Sequence, residues 1–557
     1  MPGLVVQPMA APDAQGDEGS PYVHWWHQVE FNAASPEAAG IGFLTFGQDG
    51  TGPAPRFAAH PGPNHPGHRR TLPIWKSALP PTGSPAGMAD PLAKLTAPAV
   101  LVVIDGDINP VHDRFRDAAG KPRILAHWLM EAAYQPGSSR VPFGREIRRA
   151  EIDAATVGRT EDEALRRLGC HSLSDAFAPR GTAQLSAHGT HVMDLAGGTR
   201  TGDHDAALLR TAPVLAVSLP SNRLLSASGV FLEVFVDQAL TWVEQRLDEM
   251  AGNDWPPVVI NLSYGLAAGP KDGSGHLSRR ILAFLTRHPS AQIFMPAGND
   301  GLGEGHAMLV AGGDHGKIGW IVSPSDPYSS HAEVWVNGNA PAISLVVTSP
   351  DGDRLDMPGL AGAGPHRPVE LVSGGGKPVA RIYPLGPGGD ENRHGYLICV
   401  APTRRYGAGL PAAPGGIWTI ALSGAGDATA ALHLQSERPL TPNSLAGHPG
   451  RLVQLSGQMA KPQRDGTLNA LPVGSGAQII DCLRASDGKV VGWSARGDRL
   501  AVPPIPDGFA VIGERSPARP NLLAAGYRSG STALVEGTSF ACAAAARTAL
   551  MIALSPP

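Results

Sequence analysis

The segment APAVLVVIDGDI, Ala97–Ile108, carries an unbroken apolar run that ends in two carboxylates. No polar residue alternates with the apolar ones, so neither face of the strand it predicts can lie against water. Strands covered on both faces belong to parallel sheets flanked by helices. The sequence that follows repeats the theme. TAPVLAVSLP (211–220), PPVVINLSYG (256–265) and AQIFMPAGND (291–300) predict three more buried strands. Between them, TEDEALRRLG (160–169) opens with a Thr160/Glu163 capping box, while VFLEVFVDQALTWVEQRLDEM (230–250) and LSRRILAFLTRH (277–288) read as helices. Strands alternating with helices predict a right-handed, mostly parallel α/β domain over residues 96–315.

The texture changes on both sides of that domain. Short β-rich runs such as HAEVWVN (331–337), PVARIYPLG (378–386) and GIWTIALSG (416–424), separated by Gly, Pro and Asp, predict an antiparallel β-sandwich over 316–440. An α/β texture resumes over 441–557 with GAQIIDCL, VVGWSARG and NLLAAG, so the sandwich reads as an insertion of jelly-roll-like type. Residues 1–95 form a loop-rich N-terminal extension, expected to pack on the α/β domain, with strands expected near Val23–Phe31 and Ile41–Phe46. His60, His65 and His68 lie among Pro, Gly and Asn with no Cys or carboxylate at ligand spacing, and read as a solvated loop.

The chain has 557 residues, more than one hydrophobic core accommodates, and is 42% hydrophobic and 17% charged. With a net charge of −4 and no basic stripe, nucleic acid is not an expected partner. The four cysteines are scattered, which does not suit a disulfide framework. No basic region precedes an apolar one at the N-terminus and no run reaches membrane-spanning length, so a cytoplasmic protein without a membrane partner is expected.

Candidate chemistry lies at the ends of these elements. Asp105 ends its strand at the edge where open α/β sheets collect ligands and catalytic groups. In SAHGTHVMDLAGG (186–198), His188 stands at a helix mouth, where an imidazole can serve as a general base. The spacing of His188, His191 and Asp194 also raises a metal site. The zinc-protease pattern, however, needs a Glu where this chain has Gly189, and no metal is expected. In FMPAGNDG (294–301), Asn299 ends a buried strand and can donate to an oxyanion. LVEGTSFACAAAARTALMIALSPP (534–557) places Ser539 at the mouth of an Ala-rich helix. There it is either part of a helix cap or a nucleophile favoured by the helix dipole.

Taken in order, Asp105, HGTHV (188–192), AGN (297–299) and GTSFA (537–541) resemble the subtilase, or subtilisin-like serine protease, superfamily over roughly 97–305 and 441–557. The resemblance implies a subtilisin-like parallel sheet flanked by helices and a peptide-bond hydrolase working through an acyl-enzyme. It implies Ser539 as nucleophile, His188 as base and then acid, Asp105 as the orienting carboxylate, and an oxyanion site between the Asn299 amide and the Ser539 N–H. It also implies that SASG (226–229) and LSYG (262–265) flank an extended protein or peptide substrate, with Gly229, Ser263 and Gly265 the candidates. No cofactor is implied.

The sequence departs from the family in four places. Asp105 is followed by Gly106-Asp107, which leaves Asp107 as an alternative orienting group. Ala543 stands where Pro is usual. The stretch from Asp105 to His188 is long, and the loop after the His188 helix lacks the calcium-binding pattern of the secreted enzymes. A catalytically silent or zymogen-like subtilase that binds a protein partner through its sandwich is the alternative reading.

Overall fold

The computed structural model describes residues 92–135, 141–170, 187–200, 202–220, 232–337, 343–359, 367–385, 394–404, 412–424, 428–435, 450–484, 487–497, 509–512 and 522–555, with shorter elements before residue 92. Its central sheet has eight strands in the order Phe509–Ile512, Gln478–Leu483, Ala291–Pro296, Val258–Leu262, Val100–Asp105, Val214–Ser218, Ile124–Leu129 and Arg145–Arg148. All its ladders are parallel except the last, where Arg145–Arg148 runs antiparallel to Ile124–Leu129.

The unbroken apolar run has a direct physical reason. Val100, Val102 and Ile104 enter one buried cluster with Phe235, Leu240 and Val243 of the helix Leu232–Ala251 and Ile281 of the helix His276–Arg287. Leu101 and Val103 enter a second cluster with Val192 and Met193 of the helix His188–Gly197 and Ala541 and Ala546 of the helix Thr538–Leu554. Each such side chain, fully buried, contributes about 1.5–3 kcal/mol. Side chains alternate across a strand. Asp105 therefore falls on the face of Leu101 and Val103, beneath the helices that carry His188 and Ser539.

Two antiparallel sheets are built largely from residues 306–453. One has seven strands, ordered Val5–Pro8, Val369–Val372, Pro378–Leu385, Gly395–Val400, Ser330–Val336, Thr429–Gln435 and His306–Val310. The other has five, ordered Arg354–Met357, Ser344–Thr348, Gly416–Ser423, Lys317–Val322 and Arg451–Val453. Both add buried residues to the cluster that covers the Val100 face of the central sheet.

The N-terminal extension contributes an edge strand and a helix to this region. Val5–Pro8 pairs antiparallel with Val369–Val372. The expected strand near Val23–Phe31 is instead the helix Pro21–Val29. Its aromatic residues favour strands locally, but Tyr22, Trp25 and Val29 recur at helical spacing, and Pro21 fits a first helical position. Tyr22 and Trp25 are buried. The second expected strand is present as Ile41–Gly47. His60, His65 and His68 lie outside the described residues. The four cysteines form no disulfide. Among the described residues, no helix is long and apolar enough to cross a membrane.

Candidate active site

The strand ends carrying Asp105 and Asn299 meet two helix mouths, those of His188 and Ser539. His188 Nδ1 lies 2.7 Å from Asp105 Oδ1, the oxygen that also accepts the Gly106 N–H at 2.7 Å. The Asp105 side chain is buried, whereas the His188 ring is 38% exposed. Burial opposes a charge on the imidazole, but the Asp105 charge and hydrogen bond, with the Asp107 charge added, outweigh it and raise the His188 pKa. Asp107 meets the His188 helix through its backbone, whose carbonyl accepts the Thr190 hydroxyl at 3.0 Å.

The helix can approach this closely because residue 189 is glycine. A Cβ there would lie 1.9 Å from the Gly106 carbonyl oxygen. His191 points elsewhere, with Nδ1 donating to the Ala525 carbonyl at 2.6 Å. Asp194 accepts the Ala525 N–H at 2.6 Å and faces Arg114 and Arg200. Among the described residues, no three His, Cys, Asp or Glu side chains gather as a metal site.

Ser539 lies in the first turn of its helix, and neither it nor Thr538 caps that helix. The N-cap is Gly537 at φ 142° and ψ 158°, a backbone region that is essentially glycine's own. The ring of Phe540, next in sequence to Ser539, lies 5.1 Å from that of His188. No hydrogen bond joins Ser539 Oγ to His188 among the described residues. A side-chain chain fixes the helix mouth to the sheet. Cys542 Sγ donates to Asn261 Oδ1 at 3.3 Å, Asn261 Nδ2 to Ser263 Oγ at 2.9 Å, and Ser263 Oγ to the Ser539 carbonyl at 2.9 Å.

Asn299 is exposed at the cleft, and Thr538 holds its oxygen. Both the N–H and the hydroxyl of Thr538 donate to Asn299 Oδ1 at 3.0 Å, while that hydroxyl accepts the Gly298 N–H at 3.2 Å. With Oδ1 engaged on the helix side, Nδ2 is the end left to face the cleft.

The cleft encloses about 190 Å3 and is lined by Ser539, Asn299, Ser263 and Gly265, with Asn469 and Gln435 among its other walls. Gly229 lies outside the described residues. Asn469 is a residue that the motifs do not announce. Its amide donates to the carbonyls of Tyr264 and Pro296 and accepts the N–H groups of Leu266 and Leu471, which uses its full capacity. Nothing in TLNALPVG marks it, because three of its four partners lie 173–205 residues away in the chain. The structural role of Thr538 was more accessible, since it belongs to the GTS motif itself.

No family profile matches the chain, and no curated protein matches it. Among solved structures, the CspB protease of Clostridium perfringens aligns over 82% of this chain and 83% of that one, with a TM-score of 0.58 and 19% identity. The fold is subtilase-like. At that identity the likeness concerns the fold alone. A Paenibacillus cycloisomaltooligosaccharide glucanotransferase aligns with a TM-score of 0.12, too low to signify a shared fold.

Proposed function

We propose that this chain is a serine endopeptidase of subtilisin type that hydrolyses extended peptide segments through an acyl-enzyme. One observation carries the reading: a half-exposed imidazole bonded to a buried carboxylate at 2.7 Å stands against the residue next to Ser539 at a helix mouth. Ser539 attacks the scissile carbonyl as His188 takes its proton, and His188 then returns that proton to the leaving amine. Asp105 keeps the imidazole in the Nδ1–H tautomer and stabilises its cation without becoming protonated. The oxyanion is received between Asn299 Nδ2 and the Ser539 N–H. In unliganded sites catalytic hydrogen bonds are often long, and they tighten when substrate binds.

In this reading residues 96–315 and 441–557 are the catalytic domain. The intervening residues form an inserted sandwich of jelly-roll type, and residues 1–95 are a flank that packs on the catalytic domain. The test compares the wild type with Ser539→Ala. The wild type is expected to label with a fluorophosphonate and to cleave a peptide library analysed by mass spectrometry, and the variant to do neither. Labelling that persists in Ser539→Ala, or cleavage abolished by a chelator, would overturn the reading.

A further inference from the structure

The segment Ser263–Ala268 borders the cleft, and its alternate residues are tied down along one edge. The Tyr264 carbonyl and Leu266 N–H are bonded to the Asn469 side chain, the Leu266 carbonyl to the Ala470 N–H at 2.9 Å, and the Ala268 N–H to Gln435 Oε1 at 2.9 Å. In extended chain, residues two apart direct their N–H and C=O groups to the same side. Residues 264 and 266 therefore face inward, and the chain then bends at 267–269, where Gln435 holds the Ala268 N–H. The backbone of Gly265 faces the opposite edge and makes no hydrogen bond among the described residues.

The last of these ties comes from outside the α/β domain. Gln435 ends the strand Thr429–Gln435 of the seven-stranded sheet, is buried, and lines the cleft. Its neighbour Leu434 donates its N–H to the Gly305 carbonyl at 2.7 Å, at the end of the loop that carries Asn299. One strand end of the sandwich thus bonds both the segment 263–268 and the loop that carries Asn299.

We propose that Gln435 is a positioning residue for the substrate strand, through which the sandwich sets the geometry of the peptide-binding edge. The inference rests on the protease reading. Gln435 touches no reacting atom. It acts through Ala268, fixing the bend at 267–269 that ends the segment, so that Gly265 is held in place to pair with a peptide backbone.

The experiment measures two reactions on the full chain: the labelling rate with a small fluorophosphonate, which needs only the nucleophile and its base, and kcat and KM on a peptide of at least six residues. Gln435→Met removes the acceptor at similar volume. It is expected to lower peptide kcat/KM about tenfold, mainly through KM, with labelling within twofold of wild type. Gln435→Glu keeps an acceptor in place and is expected to restore KM. If Gln435→Met fails to label, Gln435→Asn, which withdraws the acceptor by one methylene, carries the same expectation. Labelling and peptide kinetics that fall together in these variants, or peptide KM that stays at the wild-type value, would overturn the proposal. A wild type that neither labels nor cleaves would overturn the protease reading on which it stands.

Discussion

At the scale of single residues, the site turns on how two polar groups are held. In the proposed mechanism His188 is a general base, which works only when neutral, and its environment raises its pKa above the ordinary value near 6.5. Peptide kcat/KM is therefore expected to fall, as pH is lowered, through a limb centred above pH 6.5. Asp105→Asn removes the charge that sustains the shift, so the limb should move to lower pH while kcat drops about 10⁴-fold. The corresponding stability runs in the other sense. The protonated His188–Asp105 pair favours the folded chain fully below the unfolded pKa, and that contribution is lost as pH rises through the folded one. A limb that stays put in Asp105→Asn would mean that another group titrates. Thr538 makes a second case. Thr538→Val removes the hydroxyl that donates to Asn299 Oδ1 and accepts from Gly298, leaving the Asn299 amide held only by the backbone N–H of residue 538. A loss of about 10–100-fold in kcat at nearly constant KM is expected in steady-state assays. If Asn299 serves as the proposed oxyanion donor, Asn299→Ala should cost about 10²–10³-fold, the magnitude of losing a donor of this kind in subtilisin.

At the scale of elements, what the sequence discloses depends on whether a local pattern or a distant partner fixes the structure. Val100–Asp105 is legible because both its faces are covered, which demands an unbroken apolar run. Parity along the strand then tells which helices Asp105 can meet. The helix Pro21–Val29 is only half legible locally, since its helical spacing competes with aromatic residues that favour strands, and its buried face meets distant partners: Trp25 Nε1 donates to Ser329 Oγ at 2.9 Å, and His24 Nδ1 lies 2.8 Å from the Tyr383 hydroxyl. Asn469 and Gln435 escape notice for the same reason, because polar groups that bridge segments leave no periodicity. Glycines at element ends are the intermediate case, visible as letters but explained only by neighbours. Gly189→Ala drives a methyl into the Gly106 carbonyl and must push the His188 helix away from Asp105. Gly537→Ala forces a φ of 142° on a residue with a Cβ, a strain of about 1–3 kcal/mol at the mouth of the Ser539 helix. Both variants are expected to fold with a lowered melting temperature and to label slowly with a fluorophosphonate. Wild-type labelling in either would show that the helix mouth tolerates displacement.

At the scale of the whole molecule, the N-terminal residues are joined to the seven-stranded sheet by polar groups as well as by apolar burial. Gln7 Nε2 donates to Glu370 Oε1 at 3.1 Å, and the Tyr22 hydroxyl to Glu333 Oε1 at 2.6 Å. Between them lies a buried ion pair. Arg381 donates to Glu370 Oε2 through Nε at 3.0 Å and again through its terminal nitrogen, and its guanidinium stands 5.7 Å from the Trp25 ring centre. Both members of the pair are nearly excluded from solvent, with side chains 2% and 8% exposed. Under those conditions the pair itself adds little net stability, but removing one member strands the other charge. Arg381→Met should therefore destabilise the chain by about 3–5 kcal/mol, whereas the double change Arg381→Met with Glu370→Leu should recover most of that loss. Thermal unfolding of the wild type, both single variants and the double variant supplies the cycle. Hydrogen exchange within 21–29 should rise in Arg381→Met and return towards wild type in the double variant if the cost arises from the stranded Glu370. If instead Arg381 holds the helix chiefly through its face on Trp25, exchange there will stay high in the double variant even as the melting temperature recovers.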